Sequence, residues 1–338
     1  MTEGETSDPL RDALCTAWHL YVDALVPIRP ALHGYCRRLT GNLWDAEDLV
    51  QDTLVRAFAQ WGVTHPAIRD PRSYLLRTAT NVWIDTLRRR ETEARSGRLA
   101  PDAAPTAGDD PATASDVRDA SARLLQRLSP QERAAVLLKE VFDMTLDEIA
   151  ALLATSTGAV KAALHRGRGR LREGDDAPAS QRPLPSPELL DRFIERYNAR
   201  DVPGLVGLML EGGAAENVGN SFHVGREGGD GTPHFFHKVV HGHAEWPTQT
   251  RPDAVRLVRG DYEGEPIVLQ LVMRWGSEAL EVVFRFEERD GRIARLRAYG
   301  FCPETMSAIG EALGLPVRTG LYRAPTPAPG MPWPEPGE

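Results

Sequence analysis

At 338 residues the chain is longer than one hydrophobic core ordinarily serves, so two or three domains are expected. With 41% hydrophobic and 26% charged residues it reads as ordinary folded protein, and a net charge of −8 excludes a uniformly basic nucleic-acid coat, so any such contact must come from a local cluster of cations. No apolar run approaches the ~20 residues of a bilayer span and the first residues, polar and acidic, lack a signal-peptide pattern, so a cytoplasmic protein with no membrane anchor is expected.

From Leu10 to Leu39 the pattern is helical, with Trp18, Tyr21, Val22 and Leu25 before Pro27, Leu32, Tyr35, Cys36 and Leu39 after Pro30, and a stop at Thr40-Gly41-Asn42. Ala46, Leu49, Val50, Thr53, Leu54, Ala57, Phe58 and Trp61 then alternate by three and four, the spacing of one buried helical face. Asp45, Glu47, Asp48, Gln51 and Asp52 form the opposite face, which reads either as dipole stabilisation and solubility or as a docking surface for a basic partner. A loop at Pro66–Pro71 precedes SYLLRTATNVWIDTLRRR, capped by Ser73, with Leu76, Ala79, Trp83 and Leu87 inward and Thr78, Asn81, Asp85, Arg88 and Arg89 outward. Aromatic, amide and guanidinium groups on one helix suit unpaired DNA, whose bases stack and whose backbone seeks cations. The stretch Glu91–Ala114, rich in Ala, Pro, Asp and Gly without periodicity, reads as a tether.

The segment LSPQERAAVLLKEVFDMTLDEIAALLATSTGAVKAALHRGRGRLR, Leu128–Arg172, carries the strongest signal. Ser129, Pro130 and Glu132 give an N-cap, a first-turn proline and a capping-box acid, and Ala134, Leu137, Leu138 and Val141 share a face. Thr145 caps a second helix bearing Leu146, Ile149, Ala150 and Leu153. After the turn Ala154-Thr155-Ser156, a third puts Val160, Ala163, Leu164, Gly167 and Leu171 inward and Gly158, Ala162, His165, Arg166 and Gly169 outward, flanked by Lys161, Arg168, Arg170 and Arg172. Small residues at the centre of a helix with cations on its shoulders can enter a major groove.

A second linker, Glu173–Pro187, leads to LLDRFIERYNARDVPGLVGLML, read as two helices broken at Asp201-Val202-Pro203, and from Ala254 strands take over, with a hairpin turn at Arg289-Asp290-Gly291-Arg292. A short helix follows at Met306–Leu313, and the tail from Ala324 is proline-rich. His234, His237 and His241 would share a helical face at a zinc-compatible spacing, but with no Cys near and no evident acid ligand they read as a polar wall or surface patch, so no metal is expected. Asp261, Tyr262 and Tyr299 could serve acid–base chemistry only if they converged, and no phosphate loop or nucleophile elbow occurs, so no catalytic residues, cofactor or enzymatic activity are expected. Cys15, Cys36 and Cys302 form no CxxC pair and read as reduced core thiols.

Three motifs, LTGNLWDAEDLVQDTLVRAFAQW, SYLLRTATNVWIDTLRRR and the Leu128–Arg172 segment, stand in an order and spacing that resemble the extracytoplasmic-function (ECF) sigma factors of bacteria. The resemblance implies an all-α N-terminal half of two helical domains, residues 10–90 and 118–172, the second with a helix-turn-helix, joined by a flexible linker at 91–117. It implies binding to the clamp helices of core RNA polymerase through Asp45, Glu47, Asp48, Gln51 and Asp52. Asn81, Asp85, Arg88 and Arg89 would face the minus-ten element as melted strand, with the Pro66–Pro71 loop near the extruded base, and Thr157, Lys161, His165, Arg166 and Arg168 would meet duplex DNA at the minus-thirty-five element. After a linker at 173–187, residues 188–317 resemble the SnoaL-like α+β cone, which implies a regulatory extension and room for a small-molecule ligand, with a tail at 318–338. The alternatives are a stand-alone helix-turn-helix regulator with a ligand-sensing cone domain, and a SnoaL-type enzyme fused to a DNA-binding module.

Overall fold

The computed structural model describes residues 9–64, 70–95, 125, 128–173, 183–225, 236, 240 and 252–319. The chain forms two compact units, residues 24–182 and residues 183–338 together with 1–23. Among the described residues no helix is long and apolar enough to cross a membrane.

The first unit is helical. Helix α1 (Pro9–Leu25) lies almost wholly in the stretch grouped with the second unit; within the first, α2 spans Arg29–Thr40 and ends on Gly41 at φ 86°, whose N–H returns to the Arg37 carbonyl, a left-handed stop open to glycine because it has no Cβ. Asn42 accepts from the Asp45 N–H and starts α3 (Leu43–Thr64), which packs with α2 and α4 (Pro71–Arg95). Leu32, Tyr35, Leu39, Ala46, Val50, Leu54, Leu76, Ala79 and Trp83 are buried, as the spacing required, and Leu43 joins them. Tyr35 and Thr80, both fully buried, share a hydroxyl–hydroxyl hydrogen bond of 2.7 Å that ties α2 to α4. Thr78, expected to face outward, is instead buried with its hydroxyl donating to the Tyr74 carbonyl; a short polar side chain inside a helix can satisfy itself on the preceding turn.

Capping boxes open α5 (Pro130–Glu140) at Ser129/Glu132 and α6 (Leu146–Leu152) at Thr145/Glu148. Ala154, at φ 50°, turns the chain into α7 (Thr157–Glu173). The helices on either side of the expected tether pack together: α5 lies on α2 and α4. Arg133 donates to the Leu39 carbonyl at the end of α2 and its guanidinium lies 5.2 Å from the Trp83 ring centroid, while Phe142 stands edge-on to Tyr35 at 5.3 Å. A cation at a helix C-terminus is favourable because the carbonyl dipoles converge there. Burial nevertheless pulls the Arg133 pKa down to about 10. Helix α4 runs to Arg95, past the expected boundary at 90; the rest of that tether, 96–124, the loop residues 65–69 and most of the second linker lie outside the described residues.

The second unit is α+β. Its helices α8 (Pro187–Asn198) and α9 (Val202–Leu208), capped by Ser186 and Asp201, precede a six-stranded sheet in the order β2-β1-β6-β5-β4-β3. The strands are β1 Met209–Asn217, β2 Ser221–Val224, β3 Ala254–Tyr262, β4 Glu265–Arg274, β5 Ser277–Arg289 and β6 Arg292–Ala298. The strands from Ala254 on pair antiparallel, and the sheet as a whole is mixed because β1 runs parallel to β6. Three two-residue turns, Glu263-Gly264, Trp275-Gly276 and Asp290-Gly291, carry positive φ at both positions, the geometry whose twist matches that of the strands it joins. Phe193 of α8 sits 4.8–6.2 Å from the rings of Tyr197, Phe236, Phe284 and Phe286, filling one side of the sheet, and α10 (Pro303–Leu313) packs against β5 and β3.

Candidate nucleic-acid interface

Helix α7 buries Val160, Ala163, Leu164 and Gly167 against α5 and α6 and leaves Gly158, Lys161, Ala162, His165, Arg166, Arg168 and Arg170 exposed, as its periodicity required. A Cβ on Gly167 would stand 3.0 Å from Val136 Cγ2, so the missing side chain lets α7 approach α5 closely. Thr157 is half-buried at the start of the ridge.

The cations of that ridge are not equivalent. Glu132, 2% exposed, receives Arg166 Nε at 2.9 Å and Arg170 Nη1 at 2.6 Å, while one of its oxygens also accepts the Ser129 N–H at 3.1 Å. Burial by itself would push that carboxyl up; the hydrogen bonds from Arg166 and Ser129, with the charge of Arg170, hold it below the usual carboxylate range. Arg168 pairs with Glu140 at the end of α5. Among the described residues no carboxylate pairs with Lys161. Sequence reasoning took Glu132 only as a capping acid; nothing in the local pattern shows that a residue 34 and 38 positions earlier meets two arginines of the ridge.

On α4, Asn81, Arg88 and Arg89 are exposed, and Asp85 lies 3.5 Å from Arg56 of α3 in a pair half open to water. Trp83 is inside, so this helix offers amide and guanidinium groups to its surroundings while its indole serves the core. On α3, Asp52 is exposed and Asp45, Asp48 and Gln51 are half-buried. Glu47 departs from the expected acidic face: it is fully buried, accepts from Arg29 Nη2 and Gln51 Nε2 at 2.7 Å each, and stands 3.7 Å from His33 Nε2. Its physical reason is the position of α2, which brings Arg29 and His33 over the helix start and lets the acid turn inward.

In the second unit Asp261 is exposed and caps its own turn by accepting the Gly264 N–H, whereas Tyr299 is fully buried, so these two do not share a site. His234, His237 and His241 lie outside the described residues, among which no cluster of three His, Cys, Asp or Glu could hold a metal ion. Cys36 and Cys302 are buried thiols, and burial pushes the Cys36 thiol well up.

The Sigma-70 region 2 family matches residues 27–93 and the Sigma-70, region 4 family residues 119–171. The chain is 36% identical over 212 residues to the ECF RNA polymerase sigma factor SigG of Mycobacterium tuberculosis, across 54% of this chain and 57% of that one, so it spans less than two thirds of that relative's length. It is 35% identical over 144 residues to the RNA polymerase sigma-E factor of Streptomyces avermitilis, covering 42% of this chain and 78% of the relative. Among solved structures, that of the extracytoplasmic-function sigma factor SigJ of Mycobacterium tuberculosis aligns over 85% of this chain and 98% of its own, at 23% identity and a TM-score of 0.32. Both family matches fall on the helical unit, the first on α2–α4 and the second on α5–α7, and with them the chain belongs to the extracytoplasmic-function sigma factors of RNA polymerase.

Proposed function

We propose that the protein binds core RNA polymerase and directs promoter recognition and transcription initiation, in the cytoplasm and without being an enzyme itself. The observation that carries this reading is the exposed basic ridge of α7 on a capped helix-turn-helix, in the same unit as a helix that presents Asn81, Arg88 and Arg89. The two surfaces suit two forms of one nucleic acid. A small-centred cationic ridge fits the major groove of duplex DNA, and guanidinium and amide groups along α4 suit the backbone and bases of a melted strand. In this reading the ridge of Thr157, Lys161, His165, Arg166 and Arg168 meets the upstream duplex, with Arg166 also tied to Glu132, and Asn81, Asp85, Arg88 and Arg89 meet the melted element.

Core polymerase would dock on the acidic side of α3, with Asp48 and Asp52 toward the partner and Asp45 and Gln51 beside them; Glu47, buried on Arg29, supports that surface from within. A stand-alone regulator would leave that acidic side and the α4 groups without a role. The α+β unit is read as a SnoaL-like domain that modulates sigma activity, supported by its two leading helices and the run of hairpins that follows them. The aromatic rings around Phe193 favour modulation by packing over a bound small-molecule ligand.

Run-off transcription with purified core polymerase on a genomic-fragment template library tests this reading. Transcripts should appear only when the protein is added to core polymerase, and truncation after Arg172 should change their yield. A chain that neither co-elutes with core polymerase nor supports transcripts overturns the reading; unchanged yield on truncation overturns the modulatory role.

A further inference from the structure

Glu132 is almost wholly buried, yet it holds three partners, two of which belong to the face that reads DNA. Arg166 and Arg170 are one helical turn apart on α7, and the carboxylate sits between them, each oxygen taking one guanidinium. Between the two arginines lies Gly167, against Val136 of α5, where the absence of a side chain lets the two helices approach. A joint of this kind fixes how α7 is tilted and rotated on the rest of the helix-turn-helix. Drawing either arginine away to a phosphate would leave a buried carboxylate short of a donor, which is costly where water cannot replace it.

We infer that Glu132 is a positioning residue for DNA recognition, and that Arg166 and Arg170 serve the α5–α7 joint and not phosphate contact. The inference rests on the reading of α7 as a groove helix. It gives the cations of the ridge two distinct roles. Lys161, exposed and with no carboxylate paired to it among the described residues, supplies phosphate contact, while Arg166 and Arg170 set the angle at which the ridge is offered.

The two roles leave different marks on salt dependence, because each phosphate contact adds about 0.9 to the slope of log affinity against log salt concentration. Full-length protein is titrated with a mixed-sequence DNA duplex by fluorescence anisotropy between about 50 and 200 mM salt. Arg166→Gln should weaken binding with the slope unchanged, whereas Lys161→Gln should lower the slope by about 0.9. Glu132→Gln keeps the side chain's size and an oxygen for the Ser129 N–H but discards the charge, so the freed arginines should reach phosphate and steepen the slope by about one to two. A destabilised fold would reduce the active fraction and leave the slope as it was.

Loss of about 0.9 in slope on Arg166→Gln, or an unchanged slope in a folded Glu132→Gln protein, overturns the inference. If Glu132→Gln does not fold, the arginine and lysine variants decide by themselves. A wild-type chain with no affinity for duplex DNA removes the groove-helix reading and this inference with it, while wild-type binding with the wrong slopes in the variants removes the inference alone.

Discussion

Both units set glutamates against arginines in or near their cores, but what holds the partners in place differs. In the helical unit Glu47 meets Arg29 across 18 residues, and Glu132 meets Arg166 and Arg170 across 34 and 38. In the α+β unit Glu281 meets Arg274 across 7 residues, on the neighbouring strand of a hairpin, and Arg318 across 37, and Glu265 meets Arg285 across 20. Strands are already registered by their backbone hydrogen bonds, so an ion pair on a sheet covers an arrangement that exists without it. Helices satisfy their backbone internally and meet only through side chains, so a buried acid between two of them takes part in deciding how they cross.

That contrast can be broken most directly at Glu47. Replacing it with alanine leaves Arg29 buried without this acid, and the helical unit should lose about 3–5 kcal/mol in urea denaturation. Amide exchange protection in α2 should fall with it, whereas Glu281→Ala should leave β5 protected by its ladder; exchange in β5 as fast as in α2 would erase the distinction.

A smaller effect is expected from His33. Burial, then the charges of Arg29 and Arg37, lower its pKa from 6.5 to about 4 against the opposing pull of Glu47. Between those values the unfolded chain takes up the proton that the folded chain refuses, so stability present above pH 6.5 declines as pH falls toward about 4. The loss is on the order of 2–3 kcal/mol, and His33→Gln should flatten that part of the stability–pH curve. An equal slope in the variant would assign the dependence to other groups. The smallest change separates two glycines of α7: a Cβ on Gly169 meets nothing within 4 Å, so Gly169→Ala should raise the melting temperature by the equivalent of about 0.5–1 kcal/mol. Gly167→Ala should gain less or lose, since its Cβ must displace Val136.

Much of the helical unit was legible because its elements are strongly periodic and clearly punctuated. The capping residues Ser129 and Thr145, the stop at Gly41 and the buried stripe from Ala46 to Ala57 are all local signals, and the structure uses each as the spacing required. The Asp290-Gly291 hairpin was legible for the same reason, since two positive φ values narrow the residues that fit. Strands β1 and β2 were not. EGGAAEN has two glycines and no alternation of apolar and polar residues, and Met209 and Leu210 continue the apolar run of the preceding helix, so nothing local marks the change to extended chain. It is strand β6, some 80 residues later, that gives β1 its parallel partner and its direction.

The amino-acid order therefore determined what short-range physics can determine: which stretches coil, where they begin and end, and which side of each is apolar. Only the folded arrangement decided which charges are held inside. Glu47 and Asp48 are adjacent and alike on paper, yet one is sealed against Arg29 and the other is half-exposed. Arg166 and Lys161 stand on the same ridge, yet one is committed to Glu132 and the other is not. The reason is that a charge's free energy depends on the water it keeps and the partners it meets, and both are set by residues far away along the chain.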